Sequence, residues 1–110
     1  NPNIMIKKLL FTLLLFVSLL GFSQEKTIED ISTAPNPFTI STNITFYTTS
    51  KSTITLKVKN VLGKTVFKKE YETKIGKNSI AFYKNDLAAG MYIYSIQNEE
   101  SITSKRFVIQ

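Results

Sequence analysis

Along most of the chain apolar and polar residues alternate with a period of two, the pattern of strands buried on one face; helices would show a period near 3.6. Ile44 and Phe46 alternate with Asn43, Thr45 and Tyr47. Ile54, Leu56 and Val58 alternate with Thr53, Thr55, Lys57 and Lys59, the clearest case in the chain. Residues 66–71 predict a more polar strand. Ile80 and Phe82 alternate with Ser79 and Ala81, and Phe107 and Ile109 with Arg106, Val108 and Gln110. Tyr92, Tyr94 and Ile96 alternate with Met91, Ile93 and Ser95, so this segment is apolar on both faces and is predicted to be a central strand.

Turn residues separate the runs. Asn60-Val61-Leu62-Gly63-Lys64 places Gly where a type I turn followed by a left-handed residue needs it. Gly76-Lys77-Asn78 and Asn98-Glu99-Glu100-Ser101 suit hairpin loops, and 85–90 is a longer link, with room for one helical turn, ending in Gly90. Strands spaced in this way predict an antiparallel sandwich or barrel. Upstream, Pro35-Asn36-Pro37 makes a stiff, extended lead-in, because each proline fixes φ and restricts the residue before it. Residues 24–34 are polar and charged, with Ile28 and Ile31 as their only large apolar side chains. They read as a linker, or as a loosely held first strand, ahead of a domain spanning 35–110.

The N-terminal segment differs in kind. Lys7 and Lys8 precede an apolar run, residues 9–20, interrupted only by Thr12 and Ser18, and then small residues at Gly21 and Ser23. This is the layout of a cleavable export signal spanning 1–23, with the cut expected between Ser23 and Gln24. The 14 residues from Leu9 to Phe22 fall short of the roughly 20 apolar residues that a membrane-crossing helix needs. Asn1 to Ile4 precede the first methionine, Met5, as upstream or non-native residues, and carry no argument.

Composition narrows the chemistry. The 110 residues include no His, no Cys and no Trp. Without thiol or imidazole there is no Cys/His zinc site, no cysteine nucleophile, no Ser-His-Asp triad and no disulfide. An exported domain of this kind holds together by core burial alone, which at 87 residues, Gln24 to Gln110, gives about 4 to 13 kcal/mol. Net charge is +6, and +4 once Lys7 and Lys8 are gone. A surplus so small and scattered argues against a nucleic-acid partner. Glu29-Asp30 and Glu99-Glu100 are adjacent carboxylates without the fixed separation or burial that acid–base work needs, so no catalytic residue, cofactor, metal or small-molecule substrate is expected.

Taken in order, Pro35-Asn36-Pro37-Phe38, Ser41-Thr42-Asn43-Ile44-Thr45-Phe46, Leu56-Lys57-Val58-Lys59-Asn60-Val61-Leu62-Gly63-Lys64, Asp86-Leu87-Ala88-Ala89-Gly90-Met91-Tyr92 and Lys105-Arg106-Phe107-Val108-Ile109-Gln110 resemble the type A C-terminal sorting domain of the type IX secretion system. The resemblance runs from Pro35 to Gln110. It implies an immunoglobulin-like sandwich of about seven strands that acts as an address. A Sec signal and signal peptidase would deliver the chain to the periplasm of a Gram-negative bacterium, and an outer-membrane translocon would read the folded domain. A sortase-like peptidase would then remove it, leaving the product secreted or at the cell surface. The residues carried over are Pro35, Asn36 and Pro37 at the lead-in, Leu62, Gly63 and Lys64 in the hairpin, Gly90 and Tyr92 at the fifth apolar run, and Lys105, Arg106, Phe107 and Val108 in the last. The family's domain normally trails a large cargo, whereas here eleven residues, 24–34, separate signal from domain. Three readings stay open: a stand-alone secreted domain, part of a larger gene product, or a small protein whose own surface has a role.

Several features admit a plainer reading. Gly63 and Gly90 serve turns as readily as recognition. Tyr92, Tyr94, Phe46 and Phe82 could form a sugar-stacking platform, which is the basis for the alternative of a small carbohydrate-binding or adhesion module; such residues more commonly fill a sandwich core. Lys57, Lys59, Lys68 and Lys69 could form a basic face toward an acidic partner or simply a solvated one.

Overall fold

The computed structural model describes residues 27–110. The export segment expected over 1–23 and its cut at Ser23–Gln24 lie outside the described residues. Seven strands follow: β1 (Ile28–Ala34), β2 (Ser41–Thr48), β3 (Thr53–Lys59), β4 (Thr65–Glu72), β5 (Gly76–Tyr83), β6 (Gly90–Gln97) and β7 (Ile102–Ile109). They form two antiparallel sheets, ordered β1-β2-β5 and β4-β3-β6-β7, packed face to face as an immunoglobulin-like sandwich. In the constant-type arrangement the fourth strand lies beside the fifth; here it lies beside the third. The two-residue period sets the core: Ile44, Phe46, Ile54, Leu56, Val58, Ile80, Phe82, Tyr92, Tyr94, Ile96, Phe107 and Ile109 are all buried.

Of the two readings of 24–34, linker or first strand, the structure has the strand from Ile28 onward, β1. Ile28 and Ile31 are both buried, although residues three apart in a regular strand face opposite sides. A bulge between Glu29 and Ser32, with Asp30 at φ +52°, inserts the extra residue that returns Ile31 to the inner face. That irregularity hid the strand from a period-two reading. The compact fold therefore begins ahead of Pro35, and Gly90 opens the sixth strand.

Gly76, Lys77 and Asn78 are not a hairpin loop. They open β5 and pair with Thr48, Tyr47 and Phe46. Since β4 and β5 belong to different sheets, residues 73–75 form an arch between the layers. Asn78 ties it: its amide nitrogen donates to the Lys74 and Gly76 carbonyls, and its oxygen accepts from the Lys74 N–H at 3.0 Å. The link 84–89 also crosses between sheets and contains no helical turn. Strand β6 is central, between β3 and β7, as predicted, but only one of its apolar faces is covered; Met91 and Ile93 are exposed on the other.

Candidate recognition site

Strand directions place four segments at one end of the sandwich: 35–40, the hairpin 60–64, the link 84–89 and the last residue, Gln110. Most of the family-matched residues lie in or next to these segments; Lys105 is further back, in the middle of β7 opposite Tyr94. Those of the lead-in and of the last strand are in direct contact.

Asn36 acts as a substitute peptide group. Its side-chain oxygen accepts from the Val108 N–H at 2.9 Å, and its amide nitrogen donates to the Arg106 carbonyl at 3.3 Å. Phe38 continues the pairing with its own backbone, donating to the Val108 carbonyl and accepting from the Gln110 N–H. Strand β7 is an edge strand, and Val108 turns both backbone groups away from β6, so this contact closes the outer half of that edge. The Phe38 side chain is buried and packs edge-on to Phe107 at 5.3 Å and to Phe82 at 6.3 Å. Pro35 accepts a 2.6 Å bond from Thr42, and both X–Pro bonds, Ala34–Pro35 and Asn36–Pro37, are cis.

In the hairpin, the Gly63 N–H donates to the Asn60 carbonyl and Gly63 takes φ +82°, the turn that the sequence predicts. The Asn60 side-chain oxygen accepts from Leu62 and Lys64 N–H, each at 3.0 Å. With the backbone fixed from beneath, Leu62 projects outward, 89% exposed. Asn60 and the backbone of Phe38 do as much here as the matched residues; an Asn opening a Gly-containing turn is the signal for the first. Gly90 takes φ +147° at the start of β6. Two residues on, the Tyr92 hydroxyl donates 2.6 Å back to the Ala88 carbonyl, the tyrosine corner of immunoglobulin-like folds.

The matched residues thus divide. Tyr92 and Phe107 are buried, Gly63 and Gly90 serve the backbone, and Asn36 holds the last strand. Leu62, Lys64, Lys105, Arg106 and Val108 are exposed, as are Pro35 and Pro37. Around them lie further exposed apolar side chains: Ile40, Val61, Met91 and Ile93. On the outer face of the four-stranded sheet Met91 pairs with Val108 and Ile93 with Arg106. This end therefore presents an apolar surface bordered by Lys59, Lys64 and Arg106.

The basic face splits. Lys57, Lys59 and Lys68 share the outer face, with Lys57 directly opposite Lys68, whereas Lys69 lies opposite buried Leu56 on the inner side. The aromatic group does not form a platform: Phe46, Phe82, Tyr92 and Tyr94 are all core residues. A groove of about 440 Å³ lies at the opposite end, between 50–53 and 98–100. Glu99 and Glu100 line it, Glu29 and Asp30 belong to the β1 bulge, and no cluster of three or more carboxylates forms among the described residues.

The sequence model of a family described as Secretion system C-terminal sorting domain matches residues 32–110. No curated protein matches the chain.

Proposed function

Because the chain belongs to the Secretion system C-terminal sorting domain family, that of type IX secretion, we propose that its role is that of an address read in the folded state at the end built by 35–40, 60–64 and 105–110. The family's work is to mark proteins for export to the cell surface or medium by the type IX machinery, so a transport apparatus is the partner. The observation that carries the site is the joining of lead-in to terminal strand by Asn36 and Phe38, next to exposed Leu62, Arg106 and Val108. Distant parts of the sequence become one surface only after folding. A transporter that reads this surface accepts folded domains and rejects unfolded ones.

In this reading a Sec signal over 1–23 is cut by signal peptidase between Ser23 and Gln24, and the chain crosses the periplasm. The outer-membrane translocon then engages the apolar end, and a sortase-like peptidase removes the domain after passage. The domain carries out no reaction and binds neither nucleic acid nor a small-molecule substrate. Phe46, Phe82, Tyr92 and Tyr94, the residues a sugar-stacking platform would use, are core residues and lend a glycan-binding role no support.

The test is a fluorescent protein exported by a Sec signal and followed by residues 27–110, starting ahead of β1 so that Ile28 and Ile31 are kept. It should reach the surface or medium in cells with an intact type IX translocon and stay periplasmic without it. Leu62→Asp should keep the fold and lose export. Export independent of the translocon would overturn the proposal.

A further inference from the structure

A sandwich of three strands over four covers one strand only in part. Strand β1 meets β7 at one side, so the smaller sheet stops short of β4 and reaches it where Phe82 of β5 meets Phe67 edge-on at 5.2 Å. Its inward residues Phe67 and Tyr71 are accordingly only half-buried, and the Lys69 ammonium between them lies 5.2 Å from the centre of the Tyr71 ring. Beside this uncovered strip runs the outer edge of β5.

The four sheet edges differ in how they are protected. Strand β7 is covered by Asn36 and Phe38 and carries Lys105 on its inward side, opposite buried Tyr94. Strand β4 carries Lys69 on its inward side, and β1 has the bulge at Glu29–Ser32. Inward charges and bulges are the means by which edge strands avoid pairing with strangers. Strand β5 has neither: all eight of its residues pair with β2 without a register shift, and 78–83 contain no charge and no proline. The Lys84 N–H bonds to the Ile40 carbonyl, so even-numbered residues face β2. The N–H and C=O of Lys77, Ser79, Ala81 and Tyr83 therefore point to the open side.

The geometry points to β5 as a strand-addition site for an extended acidic peptide segment of a partner protein, seated in the slot beside β5 and over β4. Its main chain would bond to Lys77, Ser79, Ala81 and Tyr83, alternate apolar side chains would cover Phe67 and Tyr71, and an inward carboxylate would meet Lys69. Lys69 faces the slot from β4, and Lys77 stands on the outer face at one end of the open edge, so both favour a negatively charged segment. A single strand suits the space better than a second folded copy, because β4 already extends beneath the slot. This site is separate from the end assigned to export and does not depend on that reading.

The probe is a capped eight-residue peptide of alternating valine and threonine, with glutamate in place of one central valine, added to the purified chain. Amide hydrogen exchange at Lys77, Ser79, Ala81 and Tyr83 should slow by about tenfold or more at saturation. Ala81→Pro, which removes an outward N–H without touching the β2 ladder, should abolish binding while the unfolding midpoint stays near its original value. Lys69→Glu, which leaves the backbone alone, should weaken the glutamate peptide about threefold, the scale of an exposed ion pair, and strengthen a lysine counterpart. Unchanged exchange at about 1 mM peptide, protection at another edge, equal binding of both peptides to the unmodified chain, or self-association through β5 would each overturn the proposal.

Discussion

Tyr94 illustrates how a single residue links core and chemistry. Its ring stacks on Phe107 at 5.4 Å, and its hydroxyl accepts a 2.6 Å bond from Thr33 of β1, joining the two sheets. Burial holds its phenol above the ordinary value of 10.0, with the Thr33 bond working in the opposite direction. Below that value both folded and unfolded chains keep the proton, and the contribution to stability is complete. As pH rises further, the unfolded phenol ionises first and stability falls. Denaturation midpoints should therefore drop as pH rises through about 10, and Tyr94→Phe should reduce that slope without removing it, since burial raises the Tyr71 phenol too. The alternation of 92, 94 and 96 makes Tyr94 legible as a core residue; its bond to Thr33 is not, because the partners stand 61 positions apart.

At the scale of elements, the β3–β4 hairpin separates folding from recognition within three residues. Gly63 sits at φ +82° with open space around it, so Gly63→Ala has no clash to relieve and costs about 1 kcal/mol of backbone strain, measurable by thermal or urea unfolding. Leu62 touches solvent, so Leu62→Asp should leave that stability within about 0.5 kcal/mol. Opposite outcomes for these neighbours, stability moving with one and export with the other, would distinguish scaffold from signal. This hairpin is readable from sequence because Asn and Gly at fixed spacing specify a turn by local sterics. The arch 73–75 is not: Gly76-Lys77-Asn78 carries the same residue types, and whether they turn a chain or begin a strand depends on which sheet the next strand joins. Strand β1 was legible only as an alternative to a linker, for a related reason, its bulge shifting Ile31 out of step with Ile28.

For the whole molecule, the terminal strand is as much scaffold as signal. Phe107 and Ile109 are fully buried, and the ladder to Phe38 ends at Gln110. Deleting 107–110 should remove cooperative unfolding altogether, as seen by loss of a sharp thermal transition, because two core side chains at about 2 to 5 kcal/mol each approach the total stability of a domain this size. Loss of export in that truncation would then report unfolding, so point changes at exposed Arg106 or Val108 are the informative ones. By itself the sequence determined the class of structure, most of its core and the hairpins at 60–64 and 98–101, since period-two burial and turn sterics act over a few neighbouring residues; it also excluded thiol and imidazole chemistry. Only the tertiary structure decided which strands are edges, which edges are covered, and that Asn36, Leu62 and Val108 share one end. Those outcomes depend on pairing between residues some seventy positions apart, as in the Asn36–Val108 bond, and no local pattern along the chain encodes such distances.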